Sequence, residues 1–450
     1  MFGKNVGIFS VLGAAFHQFT LFSLFAFSNI CKKLEKDPER KRDKLHGANE
    51  TLVFFLSPIS SIYMCIFCFF GGAVVRRIGT HFTIIAGCIS ICLCSYLLRI
   101  TNSIYLDFLV TIFYGIGFGI SMTSGVSNAC KYFPKNRGLI TSLCGALGGN
   151  LGSALCNFMN SRTADVLDYL TFHIIFMLVG TILAVGFITN FQESAMDNPI
   201  TNDSDSKKEP LTKSLEVDEN NKNNNNYTTK NYEDDIPTAD QIAIIGEQQA
   251  ELEIILKHWR IYFILLIFFC TCFVQGFIMT VGFTYGSEFV IKNNRGLGSQ
   301  KMGIVFTIMS LTGCVIGPIW GFIHDKLEFQ KTLMLVNILS MCNSALIGVT
   351  NRNIISFGFS VVFNGSLNSG AFSMIFPHVS KVFGFKYAGE MYGVVVLSTG
   401  ISSLIASILL RVAFSKSVEL CIYVFYIGSF LNLVGFGLCF FENDEKFLSL

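Results

Sequence analysis

Apolar residues in this chain gather into runs of about twenty or more, separated by short polar gaps. A run of that length crosses a bilayer as one helix, since about 20 residues rising 1.5 Å each cover the roughly 30 Å hydrocarbon core. Twelve such runs stand out: 6–30, 51–75, 81–99, 104–128, 138–160 and 170–191, then 261–290, 302–324, 332–350, 354–379, 388–411 and 418–441. The first, Val6 to Ile30, is longer than a signal-peptide core and has no small-x-small cleavage site after it, so it reads as a retained span.

The pattern changes once. From Gln192 to His258 the chain is rich in Asn, Lys, Asp and Glu, with Asn at 220, 221 and 223–226. Such a segment buries too little apolar area to offset its ordering entropy, and it predicts a disordered cytoplasmic linker. Near its end, Gln241 to Lys257 carries Ile, Leu and Ala at helical spacing and predicts a short interfacial helix. The chain thus divides into an N-terminal six-helix half over 1–191, the linker over 192–258 and a C-terminal six-helix half over 259–450.

The halves repeat each other. Phe113, Tyr114 and Gly115 return as Phe363, Asn364 and Gly365, and Lys131 and Phe133 match Lys381 and Phe383 at the ends of the two fourth spans. Both fourth spans are glycine-rich, as suits helices that pack closely or bend. The expected fold class is an all-α membrane protein of twelve transmembrane helices in two pseudo-symmetric six-helix halves, with a central cavity where the halves meet.

Composition sharpens this picture. The chain is 51% hydrophobic and 14% charged, with 46 Phe, so much of its surface must face lipid. A net charge of +2 offers no basic surface for nucleic acid, and the expected partners are the bilayer and a small-molecule substrate, for a protein that works as a monomer. The 15 cysteines lie almost wholly inside apolar runs and read as small core hydrophobes. Cys65 and Cys68 have CxxC spacing but no His or second pair beside them, and neither a metal nor a cofactor is expected. The loop Cys31 to Glu50 is rich in Lys and Arg and blurs the positive-inside rule; both termini are placed in the cytosol because a long linker is more easily left there than translocated. The triplet Asn49, Glu50, Thr51 has the form of a glycosylation acceptor but abuts the second span. The membrane is the plasma membrane or that of an organelle.

Two loops carry the motifs. Between spans two and three stands Gly72, Ala73, Val74, Val75, Arg76, Arg77, Ile78, Gly79; between spans eight and nine stands Gly321, Phe322, Ile323, His324, Asp325, Lys326, Leu327. Both resemble the G-x-x-x-D-R-x-G signature of the major facilitator superfamily, the second closely, the first with Arg76 in place of the acid. The resemblance implies that this acid meets a helix N-terminus across the halves and locks one facing state. On that reading only Asp325 serves here, against the start of span five near Arg137, with Arg76, Arg77 and Lys326 completing the conformational switch. The run Lys131, Tyr132, Phe133, Pro134, Lys135, Asn136, Arg137, Gly138, followed by Gly145, Gly148, Gly149 and Gly152, is similar to the oxalate/formate antiporter and monocarboxylate transporter branch, as are Phe25, Ala26, Phe27 and Ser28. A monocarboxylate-type anion moved by alternating access is therefore the implied substrate.

In that branch, cations in spans eight and eleven hold the carboxylate. Phe306 to Cys314 and Val394 to Gly400 have none at mid-depth, which argues against a doubly charged solute and leaves a monoanion, a zwitterion such as an amino acid, or a neutral metabolite. The polar groups left for binding are His17, Gln18 and Thr20 on span one, Ser121, Thr123 and Ser124 on span four, Gln275 on span seven, and Asn364 and Asn368 on span ten. No buried Asp or Glu is expected in any span, so His17 is the evident carrier of a coupling proton. An enzyme would need acid pairs, a nucleophile with its base, or a metal cluster, and none is visible. A receptor-like membrane protein that binds without transporting is the competing class.

Overall fold

The computed structural model describes residues 2–23, 46–101, 103–163, 165–190, 252–286, 295–350, 353–416 and 420–442. The motif Phe25 to Ser28, the basic residues at 31–45 and the linker residues 192–251 lie outside them. Every regular element among the described residues is a helix. Eight are long and apolar enough to cross a membrane, and two of these, Phe54–Ile100 and Gln300–Ile347, are each long enough to cross twice. With Phe2–Leu21 and Ile354–Val382 they give the twelve spans of two six-helix halves.

The long helices reverse direction at one residue each. His46–Ile100 breaks at Gly79, with φ 81 and ψ 167, and Arg295–Thr350 breaks at Glu328, with φ 68 and ψ 169. These are matching places in the repeat. One turn on, the hydroxyl of Thr83 donates to the Gly79 carbonyl and that of Thr332 to the Glu328 carbonyl, each at 2.7 Å. Only glycine adopts this conformation without strain, so Glu328 stores about 1–3 kcal/mol that Gly79 does not. The ends of the two fourth spans also match, Phe133 and Phe383 being the C-cap residues.

Two spans depart from a simple helix. Span four is Ile104–Met122 followed by Ser124–Tyr132, with Thr123 at the break. Its glycines admit neighbours closely: a Cβ on Gly115 would overlap Tyr63, and one on Gly117 would lie 2.5 Å from the Gly87 carbonyl oxygen. Span five is Arg137–Thr141, a π-helix over Ser142–Gly149, then Asn150–Arg162. There a Cβ on Gly148 or Gly152 would overlap the carbonyl oxygens of Ala15 and Phe19, so these glycines seat span five against span one.

A six-residue helix, Leu252–Lys257, precedes span seven. It is the described end of the predicted interfacial helix; 241–251 lie outside the described residues. Span seven is tied back to the end of span twelve, where Arg260 donates through Nε and Nη2 to Glu442 Oε1 at 2.9 and 2.8 Å. His378 lies 3.3 Å from the same carboxylate and stacks on Phe329 at 3.6 Å between centroids.

Candidate functional site

Spans one, two, four, five, seven, ten and eleven surround a cavity between the halves, with about 1020 Å³ of empty space, part of it continuous with solvent. Its polar wall is made of amides and hydroxyls: Gln18, Asn150, Gln275 and Asn368, with Ser61, Thr123, Thr141, Ser369, Ser373, Tyr392, Thr399 and Ser403. The apolar wall is aromatic and sulfur-rich, from Phe22, Phe118, Phe372 and Phe376 to Met64, Met122, Met279 and Cys65. Among the described residues no charged side chain lines it.

Of the sequence-predicted binding residues, Gln18, Thr123, Gln275 and Asn368 stand in this wall; His17, Thr20, Ser121, Ser124 and Asn364 stand behind it. The break in span four explains part of this. A helix interrupted at Thr123 leaves carbonyls short of their usual partners. The Ser121 carbonyl receives His17 Nε2 at 3.0 Å and Ser124 Oγ at 2.6 Å, and the Met122 carbonyl receives Gln18 Nε2 at 2.6 Å. Span one thus stitches the break with His17 and Gln18, and only Gln18 also reaches the cavity. Thr20 donates to the His17 carbonyl at 2.8 Å and packs on Gly180 of span six. Asn364 is fully buried and, among the described residues, finds no hydrogen-bond partner for either amide atom. Gln275 donates to Ser340 at 3.5 Å and, again among the described residues, leaves its Oε1 without one.

Asn150 was not singled out by the sequence, yet it lines the cavity and donates across the halves to Ser369 Oγ at 2.9 Å. Next to it Ser153 and Ser310 hydroxyls meet at 3.1 Å. Asn150 follows the π-helix directly, and a sequence pattern that assumes a straight helix misplaces its azimuth.

At the end of the cavity where loops two–three and eight–nine lie, the halves are held together twice. Asp325 accepts from the backbone N–H of Gly138 and of Leu139, each at 2.9 Å, at the first turn of span five. Asn136, the N-cap residue, makes no side-chain cap of its own, so the other half supplies the acceptor. The approach is close: a Cβ on Gly138 would lie 2.5 Å from Asp325 Oδ1, and one on Gly321 would overlap Ser142 Oγ. Arg137 crosses the same boundary, donating to Ser380 Oγ at 3.4 Å with its guanidinium 4.2 Å over the Phe385 ring.

The second contact overturns two expectations. Arg76 forms an ion pair with Glu390, in the first turn of span eleven, and donates to the Lys386 carbonyl at 2.7 Å while lying 4.9 Å over the Tyr387 ring. Asp325 is therefore not alone in bridging the halves. Glu390 is 1% exposed and Asp107, in the first turn of span four, is 0% exposed, so buried acids do occur in the spans. The sequence hides Glu390 because a helix start beside Lys386 reads as a headgroup-level position; its burial comes from Gly72, which lies directly against its carboxyl. The signal that finds it is an acid facing the one signature loop that lacks its own. Arg77 is exposed, and Lys326 lies 4.5 Å over the Phe322 ring of its own loop.

His17 is not alone among buried histidines either. His173 on span six is 1% exposed, held between Ser95 Oγ at 2.9 Å and Ser23 Oγ at 2.7 Å, and His378 on span ten is 1% exposed. Tertiary packing closes over both, which a linear pattern does not show.

Comparison with known proteins places this architecture. The family model described as Major Facilitator Superfamily matches residues 6–407 and 290–448. Among solved structures, the proton:xylose symporter XylE bound to 6-bromo-6-deoxy-D-glucose aligns with a TM-score of 0.61 at 13% identity, covering 96% of this chain and 94% of that one. A double-tryptophan XylE mutant aligns with a TM-score of 0.66 at 14% identity, covering 95% and 93%. Curated protein sequences return no match. With a family match along almost its whole length, twelve spans in two halves and a cavity between them, this integral multi-pass membrane protein belongs to the Major Facilitator Superfamily.

Proposed function

We propose that the chain carries a small polar organic solute by alternating access, and that the solute crosses with no net charge: a monocarboxylate accompanied by a proton. The observation that carries this reading is the described cavity wall, rich in amides and hydroxyls and without a charged side chain. A bare carboxylate moved from water into such a wall loses its hydration and meets no counter-charge, at a cost of several kcal/mol. Neutralised by a proton it presents one donor and one acceptor, which the amides of Gln18, Asn150, Gln275 and Asn368 complement. A doubly charged acid and a free zwitterion fit this wall worse.

A neutral hydroxylated solute is the second reading. The aromatic faces of Phe22, Phe118, Phe372 and Phe376 beside those amides favour it, and the solved relative holding a halogenated glucose shares the fold.

Uptake into vesicles holding the purified chain separates the readings. The panel is labelled formate, lactate, pyruvate, xylose, glucose and neutral and basic amino acids, at about pH 5.5 and about pH 7.5. Saturable monocarboxylate uptake that rises at the lower pH supports the first reading. Sugar uptake indifferent to pH supports the second. Saturable binding without accumulation of any solute favours the receptor-like class and sinks both.

A further inference from the structure

The amides of the cavity wall spend most of their donors on the protein itself. Gln18 gives Nε2 to the Met122 carbonyl at 2.6 Å. A backbone carbonyl can only accept, so this contact fixes which way the amide points and leaves Oε1 as the end offered to a solute. Asn150 gives Nδ2 to Ser369 Oγ at 2.9 Å, and Ser369 gives its own proton to the Gly365 carbonyl at 3.1 Å, so Asn150 likewise offers its oxygen. Gln275 holds Nε2 at 3.5 Å from Ser340 and, among the described residues, leaves Oε1 unpaired. Hydroxyls of the wall follow the same rule. Ser61 and Ser373 donate to the Ser57 and Gly370 carbonyls at 3.1 and 2.8 Å, which turns lone pairs rather than protons outward.

Asn368 differs. No hydrogen bond to another described residue engages its amide, so it keeps donors and an acceptor for one ligand. A protonated carboxyl group matches such an amide, accepting through one oxygen and donating through the other. With the carboxyl placed there, the oxygens of Gln18, Asn150 and Gln275 still lack a donor, and a desolvated acceptor left unmatched weakens binding. We propose that the solute is a hydroxy-monocarboxylic acid, its carboxyl on Asn368 and its hydroxyl donating to an amide oxygen of Gln18, Asn150 or Gln275. A keto group in that place sets oxygen against oxygen, and an unsubstituted carbon supplies nothing, so the wall selects the donor-bearing acid from its analogues. The proposal deepens the reading of this cavity as the site of a protonated monocarboxylate and rests on it.

The test is calorimetric titration of the full chain in lipid nanodiscs at about pH 5, where part of each acid is protonated. Lactate is compared with propionate, which lacks the hydroxyl, and with 2-methoxypropionate, whose ether oxygen has no proton to give. A hydroxyl makes its acid stronger, so the need for a proton alone would favour propionate. Lactate should nonetheless bind about tenfold tighter than either analogue. At least one of Gln18→Met, Asn150→Leu and Gln275→Met should bring lactate down to the level of propionate, whereas Asn368→Leu should weaken all three acids alike. Lactate binding no tighter than 2-methoxypropionate or propionate overturns the proposal, as does a preference that none of the three acceptor variants reduces. If the variants do not fold, the wild-type comparison decides alone. Acids that bind without a hydroxyl preference sink this proposal and leave the monocarboxylate reading standing; binding of xylose with no acid bound sinks both. Binding of lactate with the expected preference but without uptake leaves the proposal intact and moves the protein to the receptor-like class.

Discussion

In the loop between spans two and three the turn is built on Gly79 and the signature acid is missing; in the loop between spans eight and nine the acid is present as Asp325 and the turn is forced onto Glu328. Each loop lacks what the other retains, and each reaches the first turn of a helix in the opposite half. Their chemistry is inverted. Asp325 brings negative charge to the N–H groups that open span five, and Arg76 brings positive charge to Glu390, which span eleven carries itself. Closure at one end of a pseudo-symmetric protein therefore requires complementary charge across the boundary but not a particular sign at a particular place. The cost differs: the capped terminus uses dipoles that are always present, whereas closing the ion pair takes a carboxylate out of water and so requires its cation to come with it.

The most damaging way to break the comparison is Arg76→Glu, which sets two carboxylates face to face. The expected loss to the closed state is about 3 kcal/mol, at the low end for a buried pair because Arg76 is 36% exposed. Adding Glu390→Arg should restore most of it, read as protection of 384–391 in hydrogen exchange. Gly321→Ala comes next, since the new Cβ overlaps Ser142 Oγ and lies 2.5 Å from the Gly138 carbonyl oxygen. It should cost about 2 kcal/mol and part the loop from span five, whereas Gly72→Ala meets mainly the Glu390 side chain and should cost less. Glu328→Gly should stabilise the chain by about 1 kcal/mol through relief of the positive-φ strain, visible as a rise in unfolding temperature in detergent. Asp325→Asn is the mildest, at about 1 kcal/mol or less, because the amide oxygen still accepts one N–H. A larger loss than for Arg76→Glu would mean that the capped helix, not the ion pair, holds the halves.

Much of this was legible in the sequence. Apolar runs long enough to span, and a repeat exact enough to align Phe133 with Phe383, are properties of the chain itself and gave the two halves. The place where Asp325 lands was legible too, because a signature loop and the start of a span face each other once the halves are paired. The identity of the wall was not. Whether Gln18 or His17 looks into the cavity depends on which carbonyls the break at Thr123 exposes, and nothing in the sequence announces that break. Glu390 was hidden for a related reason: its burial is conferred by Gly72, over three hundred residues away in the chain.

The π-helix over Ser142–Gly149 bears on how this protein is read beside others. Its wider turns fit one more residue into the same axial length than an α-helix does, so a neighbour with a straight fifth span aligns to this one only with a gap. Beyond that gap, a column-by-column comparison that omits it is rotated by about 100° and sets the wrong residue opposite Ser369. Specificity inferred by transferring positions from a straight-helix relative would then be assigned to a neighbour of Asn150 that faces elsewhere.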